Sequence, residues 1–232
     1  MDFGWTDTWW PLGGFIVAFT VLHGIALRFE TNFLRAFQLS RGAAAMVLTA
    51  LGVAALFGGL EHWHEAFLYR QTADDWMRLG LLVVCGHLLS DFVWMAYGRL
   101  SLGIQPRRDL ILHHALGVVG FGAALVLEMG YAFGLLAMLT ELLPVTTGLN
   151  ALGKRLENPS FVTGADRARL HVLFWFRLPF WGVMFAFLVH ALVRGTDAGM
   201  RPAYLVAAVG MVVLIGLDLF WFRKCRQGVS FY

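Results

Sequence analysis

The stretch LGLLVVCGHLLSDFVWMAYG, residues 79–98, is almost wholly apolar, and His87 and Asp91 are its only ionisable side chains apart from Cys85 and Tyr97. A run of about 20 apolar residues is what an α-helix needs to cross a hydrocarbon core of about 30 Å. The whole chain has the same bias, with 59% hydrophobic and only 14% charged residues. Soluble domains average roughly 45–50% apolar and about 25% charged residues. The sequence therefore predicts a protein that lies mainly in lipid.

Six further stretches have a similar length and polarity. They are Trp10–Phe29, Gly42–Leu60, Leu110–Leu127, Met129–Leu149, Leu170–Val193 and Ala203–Phe222. Together with residues 79–98 they predict an all-α integral membrane protein of about seven transmembrane helices. Because these spans use most of the chain and their connections are short, we expect one membrane domain, 1–232, with no separate soluble domain.

The basic residues between the predicted spans are unevenly distributed. One side would carry Arg28, Arg35, Arg41, Arg99, Arg107, Arg108, Lys154, Arg155, Arg167, Arg169, Arg223, Lys224 and Arg226, and the other only Arg70, Arg78, Arg194 and Arg201. The positive-inside rule then predicts an outer N-terminus and a cytoplasmic C-terminus. The excess of Arg over Lys and the compact loops are typical of a bacterial protein, so we expect an inner membrane. Helix ends and anionic lipid headgroups explain the net charge of +3, and nucleic acid is not an expected partner.

Ionisable residues gather in the predicted cytoplasmic half of the bundle. They are His23, His87, Asp91, His113, His114, Glu141, His171, Arg177 and Asp218, with the polar Asn150 at a similar depth. An unpaired Asp or Arg in the bilayer centre costs roughly 2.5–3.5 kcal/mol on insertion scales. We therefore expect these side chains to face inward and meet, either in a polar cavity or as a structural pair of Arg177 with Glu141, Asp91 or Asp218.

The adjacent histidines His113 and His114 are the most conspicuous of these residues. Asp109 lies four positions before His113 on the same helical face, where a carboxylate can orient an imidazole. His87 and Asp91 repeat this spacing. Neighbouring side chains point about 100° apart on a helix, so one histidine of the pair is expected to react and the other to donate a hydrogen bond. Two interfacial histidines hydrated by headgroups are the alternative.

Two prolines lie close to charged residues in these spans. Pro144 follows Glu141 by three positions, and Pro179 follows Arg177 by two. Each proline leaves a carbonyl of the preceding turn without its amide partner. Opened backbone of this kind is tolerated in a membrane where it is buried in protein or lines a cavity. The prolines thus favour a polar interior near these charges.

A metal site is not predicted. The segment Glu61-His62-Trp63-His64-Glu65 holds potential ligands, but His62 and His64 are two residues apart and no third His or Cys is near. The eight histidines do not form the spaced boxes that a di-iron oxygenase needs, and the seventh span has no lysine for a retinal Schiff base. Retinal proteins and membrane di-iron enzymes are therefore disfavoured.

The run DLILHH, from Asp109 to His114, precedes Glu141, Asn150 and then Arg177 in an aromatic helix. This order resembles the TLC domain, the superfamily of translocation-associated membrane proteins, ceramide synthases and CLN-type proteins, and it covers about residues 79–222. The resemblance implies that six helices form a barrel around a cavity. The segment around Glu141 lacks the His-Asp and the second Asp that follow the histidine pair in ceramide synthases. The chain is thus closer to the small TLC-domain proteins, and the resemblance does not identify the lipid that would accept the acyl group.

The resemblance implies acyl transfer from acyl-CoA, the expected co-substrate, to the amine or hydroxyl group of a lipid. CoA is cytosolic and anionic, and the histidine pair lies beside Arg107 and Arg108 at the predicted cytoplasmic mouth. In this hypothesis the catalytic residues are His113 as base or acyl acceptor, Asp109 as its orienting group, His114 and Glu141 as positioning groups, and Arg177 as the stabiliser of negative charge. The substrate-binding residues are His87, Asp91, Asn150, His171, Asp218, Arg107 and Arg108.

Two other functions remain open. A lipid-binding or membrane-organising protein without turnover would use the same cavity for a headgroup. A transporter or proton-coupled channel would need polar residues along a route to the outer face, where the sequence has few. Membrane lipids are expected partners in every case, and the sequence leaves the oligomeric state, a homodimer included, undecided.

Overall fold

The computed structural model describes residues 5–58, 75–194 and 201–227, which are helical and contain no strand. A 3-10 turn, Met138–Glu141, joins the fifth helix to the sixth, and a π-helical stretch, Val172–Arg177, joins the seventh to the eighth. The described helices are α1 (Trp5–Phe29), α2 (Phe33–Gly58), α3 (Asp75–Leu102), α4 (Arg108–Leu127), α5 (Tyr131–Ala137), α6 (Leu142–Arg155), α7 (Pro159–His171), α8 (Leu178–Arg194) and α9 (Arg201–Arg226).

Seven helical units are long and apolar enough to cross a membrane, with α5 and α6 forming the fifth unit and α7 and α8 the sixth. This confirms the predicted all-α, multi-pass membrane protein. The connections 30–32, 103–107 and 156–158 lie at one end of the bundle, where Arg155 Nη1 is 3.9 Å from Glu30 Oε2. Phe33 and Ile104 line one cavity at the same end. We call it the basic end because most Lys and Arg residues lie near it.

Two helices begin well before the predicted spans. The second begins at Phe33 and not near Gly42, and the sixth begins at Pro159 and not near Leu170. Both extensions contain charged residues, and the sequence therefore assigns them to the connections between spans. Both starts carry an asparagine cap: the Asn32 side chain accepts a hydrogen bond from Arg35 N at 3.1 Å, and the Asn158 side chain accepts one from Phe161 N at 3.0 Å. Proline also occupies the first turn of the sixth span.

Apolar packing places the core between the helices and leaves other apolar faces for lipid. Leu48, Val84 and Trp181 belong to the central cluster of buried side chains. On the outer side of α1, Val17 and Val21 are spaced by one helical turn and are more than half exposed. An apolar face without a protein partner is what a lipid-facing helix requires.

The glycines Gly42 and Gly148 mark the closest approach between α2 and α6. A Cβ atom on Gly42 would lie 2.8 Å from Gly148 Cα, so the backbones themselves would have to separate. We expect Gly42→Ala to lower the free energy of unfolding by about 1–3 kcal/mol through overpacking. Unfolding in a titration with SDS measures this loss. Gly120→Ala is the control because a Cβ atom there meets nothing within 4 Å, and an equal loss in both variants would contradict the prediction.

Candidate functional site

Buried polar side chains from most of the spans converge towards the basic end. They include His23, Ser40, Arg41, His87, Asp91, His114, Thr140, Glu141, Asn150, Arg169, Arg177 and Asp218. Hydrogen bonds and ion pairs join many of them across helices, which confirms for Asp91, Arg177 and Asp218 the expectation that the charged residues face inward and meet. Two buried clusters result, one around Asp91 and one around Arg177.

The Asp91 cluster joins four spans at one carboxylate that has no solvent-exposed surface. His23 Nε2 of α1 lies 3.0 Å from Oδ1, and Arg41 Nε of α2 lies 2.6 Å from Oδ2. His114 Nε2 of α4 lies 2.8 Å from Oδ2, whereas His87 Nδ1, on the same helix as Asp91, is 3.9 Å from Oδ1. His23 Nδ1 contacts Ser40 Oγ on its other side. Asp91 therefore fixes the relative positions of α1, α2, α3 and α4.

The two adjacent histidines have different surroundings. His114 is fully buried, with Nδ1 at 2.9 Å from the Leu110 carbonyl oxygen and Nε2 on Asp91. Both ring nitrogens of His114 therefore have partners within the protein. His113 Nδ1 is buried and has no hydrogen-bond partner among the described residues. Of the pair, only His113 has a nitrogen available for a ligand.

Arg177 is the centre of the second cluster, and it is only 1% exposed. Its Nε donates to Asp218 Oδ2 at 2.7 Å, and its Nη1 donates to the Thr140 carbonyl oxygen at 3.1 Å. That carbonyl has no α-helical donor because Pro144, four residues later, has no N–H to donate to it. The predicted effect of Pro144 is thus confirmed, and Arg177 is the group that uses the opened backbone. Trp181 Nε1 also donates to Asp218 Oδ2, at 2.9 Å.

The position of Arg177 depends on local helix geometry. It ends the π-helical stretch 172–177, and Pro179 follows two residues later. Since Pro179 cannot donate to the Trp175 carbonyl, the ordinary helical ladder is interrupted here, and a wider turn is one way to accommodate the interruption. π-Helical turns within α-helices occur frequently at functional sites. The interruption places a guanidinium inside a span that is otherwise aromatic and apolar.

A cavity of about 50 Å³ lies between the two clusters. Its lining residues are Arg41, Arg107, Leu110, His113, Leu143, Pro144, Thr147, Arg169, Leu173, Arg177 and Trp221. The set contains four arginines and one histidine but no carboxylate. Arg177 and His113 both line it, and each has one buried nitrogen, Nη2 and Nδ1, without a hydrogen-bond partner among the described residues. The lining is therefore positively charged, and two of its residues have unused hydrogen-bonding capacity.

The predicted orientation of His113 by Asp109 does not form. The Asp109 carboxylate binds Arg107, through Nε at 3.2 Å from Oδ1 and through Nη2 at Oδ2, and it accepts from Trp221 Nε1 at 2.6 Å. The i, i+4 spacing is correct, but nearer donors occupy the carboxylate. His113 instead packs edge-on against the Trp221 ring, with the two centroids 5.4 Å apart. Asp109 thus positions Arg107 and Trp221 at the cavity wall.

The other predicted site residues lie at varied distances from this cavity. Asn150 is buried but donates to Asp166 at 2.8 Å, and His87 and Asp91 lie in the Asp91 cluster. His171 and Arg108 are exposed on the helix surface and do not line the cavity. Their placement near the site was wrong because helical phase turns both side chains outward. Glu141 is buried at 6% exposure and also lies outside the cavity lining.

Several residues of the site were missed by the sequence reading. Arg41 and Arg169 were counted as loop residues, although both are at least nine-tenths buried. Trp221 was not among the predicted site residues, yet it lines the cavity and its Nε1 donates to Asp109. The Asn158-Pro159 start signal would have extended the sixth span across Arg169. Asn32 marks the start of α2 in the same way, because its side chain accepts a hydrogen bond from Arg35 N at 3.1 Å, and this signal would have placed Arg41 within the second helix.

Within the described ranges, no group of three or more His, Cys, Asp or Glu side chains is arranged to hold a metal ion. The segment Glu61–Glu65 lies outside the described residues. Comparison with family models, curated proteins and solved structures gives no match for this chain. The resemblance to the TLC domain therefore stays a prediction that rests on the residues quoted for it.

Proposed function

We propose that this chain is a membrane lipid acyltransferase of the TLC type, which moves an acyl group from acyl-CoA to the amine or hydroxyl group of a lipid. The observation that carries the proposal is the pairing of two unsatisfied groups in one cationic cavity. His113 Nδ1 can accept a proton there, and Arg177 Nη2 can donate a hydrogen bond to a developing oxyanion. Acyl transfer needs both groups near one carbonyl.

The reaction balances with these two residues. The lipid nucleophile attacks the thioester carbon while His113 removes its proton, and Arg177 stabilises the negative charge on the carbonyl oxygen. Collapse of the intermediate breaks the C–S bond, and His113 returns the proton to the departing CoA thiolate. His114 and Asp91 act as positioning residues behind His113, and Arg41 and Arg107 flank it at the cavity wall.

The proposed orientation places the basic end in the cytoplasm. The positive-inside rule supports this choice, because the connections at that end carry most of the Lys and Arg residues. Acyl-CoA is cytosolic and would reach the cavity from the same side. A bacterial inner membrane is the proposed location.

We expect His113→Gln to lower the rate of acyl transfer by about 10²–10⁴-fold, because general acid–base catalysis contributes this much. The measurement is the transfer of a labelled acyl group from acyl-CoA to total membrane lipid by the purified protein in nanodiscs. His171→Gln is the matched control, since it removes an exposed histidine outside the cavity. A His113→Gln protein with full activity would exclude this mechanism.

A lipid-binding protein without turnover is the second candidate. The observation in its favour is that Asp109 is held by Arg107 and Trp221, so no carboxylate hydrogen-bonds His113 among the described residues. An arginine-lined cavity would then hold an anionic headgroup and leave it unchanged. This candidate predicts co-purified lipid at a stoichiometric ratio and no consumption of acyl-CoA, both of which native mass spectrometry and a free-thiol assay measure.

A further inference from the structure

Each of the four arginines that line the cavity has its own aspartate, and all four aspartates lie outside the lining. The pairs are Arg41 with Asp91 at 2.6 Å, Arg107 with Asp109, Arg169 with Asp166 at 3.0 Å, and Arg177 with Asp218 at 2.7 Å. A carboxylate behind a guanidinium fixes the direction of its planar fork of donors. The arrangement thus preorganises several cationic groups around one small space.

Arg177 gives the second, independent observation. Two of its three nitrogens are used within the protein, and Nη2 has no hydrogen-bond partner among the described residues although the side chain is 1% exposed. A buried, charged N–H without a partner is costly, and such groups are usually matched by a ligand or water. Because Arg177 also lines the cavity, an anion bound there would supply the acceptor that Nη2 lacks.

A larger cavity of about 170 Å³ adjoins the first at the basic end. The two share Arg107 and Leu110 as lining residues. The wall of the second cavity is mainly apolar and includes Phe33, Leu34, Phe37 and Met95. An anionic group in the first cavity would thus have an apolar compartment directly beyond Arg107.

We infer that the two cavities together bind a phosphate-bearing amphiphile, with the phosphate among Arg41, Arg169 and Arg177 and an apolar portion against Phe37 and Leu34. Phosphate is favoured over carboxylate because it has more acceptor oxygens and more charge for several converging guanidinium groups. The inference concerns the same cavity as the proposed function and names its substrate class. It requires binding alone, so it can be tested without turnover.

The test is calorimetric titration of the purified full chain in a neutral detergent with hexyl phosphate, hexanoate and inorganic phosphate. We expect hexyl phosphate to bind at least about tenfold more tightly than either comparison ligand, since one charge-assisted hydrogen bond is worth such a factor. Hexanoate has the tail without the phosphate, and inorganic phosphate has the anion without the tail. Equal affinities for all three, or no binding of hexyl phosphate, would overturn the inference.

Two substitutions separate the two cavities. Arg169→Gln should weaken the binding of hexyl phosphate by about tenfold or more, because it removes a charged donor from the lining. Leu34→Trp, which fills the apolar compartment, should lower the affinity for hexyl phosphate to that for inorganic phosphate. Arg167→Gln is the matched control, with the same change on the same helix at an exposed position. If Arg167→Gln weakens binding as much as Arg169→Gln, the effect is one of net charge and the site is wrong.

Competition against hexyl phosphate identifies the source of the phosphate. Displacement by CoA assigns a nucleotide donor, displacement by lysophosphatidic acid alone assigns a phospholipid headgroup, and displacement by neither overturns the inference. The result also separates this inference from the proposed function. Binding of lysophosphatidic acid but not CoA would retain the phosphate site and remove the acyl-CoA donor. Acyl transfer that depends on His113, in a protein that does not bind hexyl phosphate, would retain the proposed function and remove the phosphate site.

Discussion

Asp91→Asn is expected to lower the free energy of unfolding by about 3–5 kcal/mol, the usual loss when one partner of a buried ion pair is removed. The Asp91 carboxylate is fully buried and is the shared acceptor for His23, Arg41 and His114. Asparagine keeps the shape and one acceptor oxygen but removes the charge, so the buried Arg41 guanidinium would lose its ion pair with residue 91. Because these partners come from three other spans, the loss should loosen the contacts among α1, α2, α3 and α4.

Thermal unfolding followed with a thiol-reactive dye measures this loss, since Cys85 is a buried free cysteine within the bundle. A Cys225→Ser background removes the more accessible thiol. The control is Glu157→Gln, which removes the charge of an exposed carboxylate. Surface substitutions usually change the free energy of unfolding by no more than about 0.5 kcal/mol, so its melting temperature should change little. Equal melting temperatures for Asp91→Asn and the parent would show that Asp91 does not hold these helices together.

The fold was predictable because lipid leaves few choices for an apolar chain. Backbone N–H and C=O groups in hydrocarbon must be paired within each segment, so long apolar stretches such as residues 79–98 become helices. The helix starts near Arg41 and Arg169 were not predictable from apolarity. Both arginines lie inside the bundle because an aspartate compensates each charge. A hydropathy scale scores each residue alone, so it counts the arginine as polar and cannot include its aspartate partner. The Arg41 partner, Asp91, lies 50 residues away in the sequence.

The candidate site was predictable only in part, because several donors compete for each carboxylate and the sequence does not say which of them binds it. Spacing correctly places Asp109 on the same helical face as His113, but spacing alone cannot predict that Arg107 and Trp221 take the carboxylate. Conversely, His87 and Asp91 show the same spacing, and there the important partner of the carboxylate is His114 on another helix. The effect of Pro144 was predictable because it depends only on the chemistry of its own turn.

Arg177→Met is expected to abolish ligand binding and to destabilise the protein by about 3–5 kcal/mol, because it leaves Asp218 as an unpaired charge in the bundle. Addition of Asp218→Asn should restore most of the stability. Replacement of both charges removes the desolvation penalty of the buried ion pair. An asparagine oxygen at position 218 can still accept from Trp181 Nε1, which lies 2.9 Å from Asp218 Oδ2 in the parent protein. The measurements are thermal unfolding of both variants and titration of each with hexyl phosphate.

The double variant separates the structural role of Arg177 from its role in the cavity. If Arg177 only holds the helices together, a variant that regains stability should regain binding and acyl transfer as well. If Nη2 meets the ligand, the stable double variant should still bind hexyl phosphate at least about tenfold more weakly, and its acyl transfer should be slower by about 10²–10³-fold, as when an oxyanion donor is lost. Asp218→Asn alone keeps Arg177 and serves as the second control. Wild-type binding by the stable double variant would remove Arg177 from the site, because its remaining contacts, Asp218 and the Thr140 carbonyl, lie within the protein.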